Sequence, residues 1–206
     1  MGVGRTGPGA ADGPTSPFRD FLERAGRSAA ACLDLELADE RWTERAAVCL
    51  ARLVQAGDCL AFTGELGAGK TSFTASLARA LGLADEVSSP SFALVAEHRE
   101  TAEGAPAPLA LIHMDLYRLR GETDFLDAGL ADYFDERSAV LAIEWAERIE
   151  AILPPVALVL RLDYAFAGGG RRLRIYAPEE RKKALLDAFR DFPSWEATVR
   201  TQGEER

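Results

Sequence analysis

Gly64-Glu65-Leu66-Gly67-Ala68-Gly69-Lys70-Thr71 satisfies every fixed position of the pattern G-x-x-x-x-G-K-[ST]. Small residues at Gly67, Ala68 and Gly69 let backbone N–H groups turn inward as a nest for an anion. A helix that starts here adds its free N–H groups and the positive end of its dipole. The Lys70 ammonium is placed to reach β- and γ-phosphates, and the Thr71 hydroxyl to ligate a Mg²⁺ bridging them. The plain alternative is a glycine-rich turn that carries Lys-Thr by chance.

Context separates the two readings. A phosphate-binding loop follows a buried strand and opens a helix. Upstream, Cys59-Leu60-Ala61-Phe62-Thr63 is a short apolar run entered through Gly57-Asp58, and predicts a strand after a turn. Downstream, Phe73, Leu77, Ala80 and Leu81 recur at helical spacing from Thr71 to Leu81, with Gly82 as the stop. Strand, loop and helix are in place, so the octet reads as a P-loop. The candidate nucleotide contacts run unbroken through Glu65, Leu66, Gly67, Ala68, Gly69, Lys70, Thr71 and Ser72.

The 206 residues predict one domain with a sizeable core, over 31–190, between a disordered tail at 1–30 and a frayed one at 191–206. Residues 1–17 are rich in Gly, Pro, Ser, Thr and Ala, and 18–27 allow at most a short helical turn. No apolar run approaches the ~20 residues of a membrane span, and the N-terminus has no signal-peptide core. The net charge of −9 argues against broad binding of a nucleic-acid backbone, which needs clustered Lys and Arg. Cys32, Cys49 and Cys59 have no metal-ligand spacing and read as buried thiols of a reducing cytoplasm.

The remaining elements alternate. Leu33 to Leu37 alternates strictly and predicts a half-buried strand. Asp39 reads as the N-cap of a helix to about Gln55, and lies where a nucleotide base could also be contacted. Ser88-Ser89-Pro90-Ser91-Phe92 predicts a turn, either with hydroxyls facing a polar site or simply entering the strand from Ala93 to Glu97. Thr101 to Pro108 then joins two strands as a hairpin loop. Leu109 to Met114 is a strand, Glu122 to Leu130 a helix stopped at Gly129, and Ala146 to Leu153 a helix stopped by Pro154-Pro155. Ala157 to Tyr164 and Arg171 to Tyr176 form a hairpin across Gly168-Gly169-Gly170, and a helix opened by Pro178 runs to about Phe189 with Ala184, Leu185 and Phe189 inward. The fold class this predicts is α/β: three layers, P-loop NTPase-like, with a mixed, mostly parallel central sheet between helices.

Two strands end in carboxylates. Asp115 follows the Leu109–Met114 run, and Glu144 follows Ala139-Val140-Leu141-Ala142-Ile143, the most apolar strand in the chain. α/β folds place ligands at the C-terminal ends of their strands. Glu144 fits a Walker B carboxylate that serves the metal. His113 alone more often marks a satisfied core histidine than a catalyst.

These residues together resemble the bacterial TsaE family, P-loop ATPases of tRNA threonylcarbamoyladenosine (t6A) biosynthesis. The resemblance covers about Leu33 to Tyr176. Besides the octet it rests on Ser89-Pro90-Ser91-Phe92 with Leu94-Val95, His113-Met114-Asp115-Leu116-Tyr117-Arg118-Leu119, Gly129-Leu130 and Ile143-Glu144-Trp145. It implies ATP and Mg²⁺, with Lys70, Asp115 and Glu144 catalytic and Thr71, Glu144 and Asp115 serving the metal. Asp115 would orient the attacking water, Ser89 to Phe92 would form a switch-like loop, and Asp39 and Arg171 would lie near the nucleotide. The family usually has Thr in place of Ser91 and Pro in place of Ala146. The resemblance further implies TsaB-like and TsaD-like partners, which transfer the threonylcarbamoyl group to adenosine 37, and mainly indirect contact with tRNA.

Two other classes compete. A small P-loop kinase would carry an Arg-rich lid, and the one Arg-dense stretch, Arg171 to Arg174, lies far downstream in a hairpin. A nucleotide-binding module without turnover would not need two strand-end carboxylates.

Overall fold

The computed structural model describes residues 22, 32–83, 87, 89–90, 92–99, 110–154, 157–165 and 169–192. The expected tails lie outside the described residues, apart from Leu22 and residues 191–192, as do Ser88, Ser91, the loop at Thr101 to Pro108, Pro155 and Gly168. Leu22 is helical and fully buried.

Among the described residues seven strands form one sheet: β1 (Leu33–Leu37), β2 (Cys59–Thr63), β3 (Val95–Arg99), β4 (Ala110–Asp115), β5 (Ala139–Glu144), β6 (Leu158–Tyr164) and β7 (Arg171–Tyr176). Their order is β1-β7-β6-β2-β5-β4-β3. The centre, β6-β2-β5-β4, is parallel, and β7 and β3 run against it. Every residue of β2, β4 and β5 is buried, as central parallel strands covered on both faces require.

Helices cover both faces. One face carries α1 (Glu40–Ala51), α2 (Lys70–Ala80) and α4 (Glu179–Ala188), whose apolar residues share a core with Leu60, Phe62, Leu111, Val140 and Leu160. The other carries α3 (Glu122–Asp127) and two 3₁₀ segments, η1 (Leu130–Asp135) and η2 (Ala146–Ile152), packed on Ala61, Ile112, Leu141 and Ile143. This is the expected three-layer α/β architecture.

The strand that feeds the glycine-rich loop and the helix that leaves it are clamped by one aromatic pair. Phe62 of β2 and Phe73 of α2 are fully buried with ring centroids 5.7 Å apart. Burial of such a side chain contributes about 1.5–3 kcal/mol. Gly64, between them, has φ +124°, and a Cβ there would lie 1.9 Å from the Leu162 carbonyl oxygen. Only glycine lets the chain leave β2 so close to β6. At the far end of α2, Gly82 N donates to Arg79 O and Leu83 N to Ala78 O, both at 3.0 Å, which closes the helix at the expected stop.

Some boundaries move. α1 ends at Ala51 rather than Gln55, its last carbonyls closed by Leu53 and Val54 N–H groups donating to Leu50 O. β3 starts at Val95, after Leu94 in a left-handed turn whose N–H donates to Pro90 O at 2.7 Å. The helix expected from Ala146 is the 3₁₀ segment η2, broken at Ile149, and α3 stops at Asp127. Short connectors often take this tighter geometry. Leu185 of α4 and Phe189, the residue that caps its end, are buried, whereas Ala184 is exposed. Cys59 is buried but Cys32 and Cys49 only partly so.

Candidate functional site

The site forms where β2, β4 and β5 end beneath the first turn of α2. Side chains alternate along a strand, so His113 and Asp115 of β4 project to the same face of the sheet. Asp115 is the register partner of Glu144 on the parallel neighbour β5, which brings the two carboxylates side by side. Both are nearly fully buried.

Thr71, the second residue of α2, meets this pair. Its hydroxyl lies 2.8 Å from Glu144 Oε1 and 3.1 Å from Oε2. The same Oε1 lies 2.8 Å from His113 Nε2, and His113 is completely buried. Glu144 is therefore held by the head of α2 on one side and by β4 on the other. Asp115 is held separately: Ser89 Oγ donates to its Oδ2 at 2.5 Å and Tyr117 N to its Oδ1 at 3.0 Å.

Lys70 is buried, and its ammonium donates to the carbonyls of Gly64 (2.8 Å) and Glu65 (2.9 Å). Its nitrogen also stands 4.0 Å from the centroid of the Trp145 ring. Burial pulls the Lys70 pKa below its ordinary 10.5, against the opposing pull of Glu144, Glu147 and Asp115. Burial likewise pushes the Glu147 carboxyl above its ordinary 4.5. Trp145 takes a left-handed backbone, φ +61°, directly after Glu144. Strain of this kind in a non-glycine residue clusters at functional sites.

Two hollows meet at the head of α2. A cleft of about 220 Å³ is lined by Lys70, Thr71, Asp115, Glu144, Trp145 and Tyr117, together with Leu66, Gly67, Gly69 and Ser72. A second, of about 260 Å³, is lined by Asp39, Thr43, Ala68, Leu162, Gly170 and Arg171 and shares Gly69 and Ser72. The expected residues thus fall around one continuous surface, except Glu65, which is exposed and offers only its carbonyl to Lys70. Asp39 is the N-cap of α1, accepting from Arg41 N at 2.9 Å and Trp42 N at 3.3 Å, and borders the second hollow as well. Arg171 donates to the loop carbonyls of Ala68 and Gly67.

Three neighbours of these groups were not among the expected site residues: His113, expected as a satisfied core histidine, and Trp145 and Tyr117. His113 has a signal in retrospect: its i, i+2 spacing to Asp115 puts both on one face. Trp145 and Tyr117, with rings 5.1 Å apart, belong to turns that follow their strands and have no periodic signature.

The donor set suits Mg²⁺, which keeps several waters and takes few protein ligands. Thr71 and Glu144 already converge, and Asp115 stands beside them. Among the described residues no group of three or more His, Cys, Asp or Glu is arranged around a common metal position.

This strand order, with a glycine-rich loop between β2 and α2, defines a P-loop NTPase-like α/β protein. A family model described as "Threonylcarbamoyl adenosine biosynthesis protein TsaE" matches residues 37–172, and the chain belongs to the TsaE family. Among relatives named tRNA threonylcarbamoyladenosine biosynthesis protein TsaE, that of Streptomyces coelicolor is 39% identical over 121 residues, covering 56% of this chain and 75% of its own. That of Bacillus subtilis is 39% identical over 123 residues (60% and 72%), and that of Treponema pallidum 35% over 133 (65% and 92%). The crystal structure of Bacillus subtilis YdiB is similar to this fold, with a TM-score of 0.59, 31% identity, and coverage of 75% of this chain and 91% of that one. A role in t6A biosynthesis follows from the family. Among the described residues no helix is long and apolar enough to cross a membrane.

Proposed function

We propose that this chain is a Mg²⁺-dependent ATPase that supports the transfer of a threonylcarbamoyl group to adenosine 37 of tRNA. The observation that carries the reading is the 2.8 Å contact between the Thr71 hydroxyl and Glu144. It joins the helix start that would face the β- and γ-phosphates to a buried strand-end carboxylate. A turn that carried Lys-Thr by chance would have no reason to do so.

The residues divide the work as follows. Amides of Gly67, Gly69 and the first turn of α2 donate to the phosphate chain, with Ala68 between the two glycines closing the loop. Lys70 exchanges its two carbonyl partners for phosphate oxygens. Glu65, Leu66 and Ser72 shape the rim, while Asp39 and Arg171 border the hollow that receives the nucleoside end. Thr71 and Glu144, with Asp115 beside them, would hold Mg²⁺. When bound, that ion neutralises charge on the transferring phosphoryl group. Asp115, pinned by Ser89 and Tyr117 N–H, orients the attacking water and accepts its proton.

The arginines of the β6–β7 hairpin do not favour a kinase lid. Arg172 pairs with Asp34, Arg174 with Asp163, and Arg171 with loop carbonyls. The acidic chain fits a cytoplasmic ATPase that leaves tRNA to TsaB-like and TsaD-like partners. Phosphate release measured with and without a TsaB–TsaD pair tests the reading. Slow release accelerated by the pair is expected. No release, or transfer of phosphate to a small acceptor, would overturn it.

A further inference from the structure

The hairpin β6–β7 reaches across to the glycine-rich loop through one facing pair of side chains, Tyr164 and Arg171. Tyr164 ends β6, Arg171 begins β7, and the two are register partners. The Arg171 guanidinium carbon lies 4.4 Å from the centroid of the Tyr164 ring. Together they serve three successive carbonyls of the loop. Tyr164 Oη donates to Leu66 O at 3.1 Å, Arg171 Nη2 to Gly67 O at 3.4 Å, and Arg171 Nε to Ala68 O at 3.1 Å. Arg171 Nη1 donates to Gly169 O and Gly170 O at 2.9 and 3.1 Å, which fixes the guanidinium to its own turn.

A trans peptide is planar, so its N–H points away from its C=O. Holding the carbonyls of Leu66, Gly67 and Ala68 from one side therefore turns the N–H groups of Gly67, Ala68 and Gly69 to the other. The Ala68 N–H is turned back to Glu65 O at 3.2 Å. That leaves the Gly67 and Gly69 amides as the groups the hairpin aims. The fit is close: Gly67 has φ +76°, and a Cβ on it would stand 2.6 Å from Tyr164 Oη.

We propose that Tyr164 and Arg171 are positioning residues that brace the loop from behind. They set its phosphate-facing amides through the loop backbone, without touching the nucleotide. The proposal rests on the reading of the loop as a phosphate site, and it changes the part given to Arg171, from a border of the nucleotide hollow to a support of the cradle. Preorganised donors need no ordering when the ligand arrives, and that is where the brace gains affinity.

The test uses the full chain and the variants Tyr164→Phe, Arg171→Met and Arg171→Lys. Calorimetry gives the affinity for ATP and for inorganic triphosphate, and ¹⁵N relaxation of the ligand-free protein gives the order of Gly67 and Gly69. Tyr164→Phe keeps the ring over Arg171 and loses one hydrogen bond, so both ligands should weaken by roughly three- to tenfold. Arg171→Met should weaken both by at least as much. Arg171→Lys should recover part of that loss, since one ammonium cannot reproduce the guanidinium fork. Order parameters at Gly67 and Gly69 should drop from a rigid value near ~0.85 in the variants, while α2 keeps its own. Wild-type order at both glycines in all three variants would overturn the brace. So would a loss confined to ATP, which would make Arg171 a contact of the nucleoside end. If the unaltered chain binds neither ligand, the phosphate reading fails, and the order parameters alone still decide whether the hairpin holds the loop.

Discussion

Thr71 Oγ1 and Glu144 Oε1 stand 2.8 Å apart although 73 positions separate them in the chain. The contact exists because β5 runs parallel beside β2, so the end of β5 comes up under the helix that β2 feeds. Loss of either group should disturb the metal before the nucleotide. Thr71→Ala and Glu144→Gln should keep ATP affinity in the absence of Mg²⁺, lose on the order of tenfold or more in turnover, and need more Mg²⁺ for what remains. Metal titrations of phosphate release check this, and wild-type Mg²⁺ dependence in both variants would remove the metal role.

Asp115 shares the register position with Glu144 but is held by different donors, Ser89 Oγ and Tyr117 N. Asp115→Asn should therefore bind ATP normally and lose about tenfold or more in turnover, as when a transition-state contact is removed, without the large shift in Mg²⁺ requirement. Full turnover in this variant would make the segment from His113 to Arg118 structural or partner-facing.

Lys70→Ala removes the ammonium that the proposed function assigns to the phosphates. Its ATP affinity should fall clearly in calorimetry with or without Mg²⁺. Unchanged affinity would rule out the phosphate-binding assignment of the loop.

His113 gives a prediction about stability. Its Nε2 faces a carboxylate in a fully buried place, and hydrogen bonds to charged groups contribute about 1.5–3 kcal/mol. His113→Leu should lower unfolding stability by roughly that amount in urea titrations. His113→Gln, which keeps a donor, should recover part of it. Equal losses in both variants would mean that packing, rather than the contact with Glu144, makes the residue important.

Glu147 carries a pH dependence. Burial pushes its pKa above the ordinary 4.5, so the folded chain keeps a proton that the unfolded chain has released. Its ionisation therefore destabilises the fold progressively as pH rises from about 4.5 through the raised folded value. Glu147→Gln should gain stability over the unaltered chain at pH 8 and show no such gain near pH 4. An identical difference at both pH values would contradict this.

The elements whose signal is local were legible in the residues. The octet, the two flanking elements of the loop and the apolar runs of β4 and β5 each follow from composition and spacing, and so does the Asp39 cap. What depends on pairing across the sheet was not. That Asp115 and Glu144 are neighbours requires knowing that β4 and β5 adjoin, which no spacing along the chain states. The contact of His113 with Glu144, and the reach of Tyr164 and Arg171 to the loop, need the same knowledge. The helix expected after Trp145 became 3₁₀ because the left-handed Trp145 and the break at Ile149 interrupt it. Apolar spacing alone does not distinguish the two geometries.

The most direct test of the account is mass spectrometry of nucleosides in tRNA from cells depleted of this chain and supplied with either the unaltered protein or Glu144→Gln. The account predicts that t6A falls on depletion, returns with the unaltered protein and fails to return with the variant. Unchanged t6A on depletion, or full recovery with Glu144→Gln, would contradict an ATPase that supports this modification.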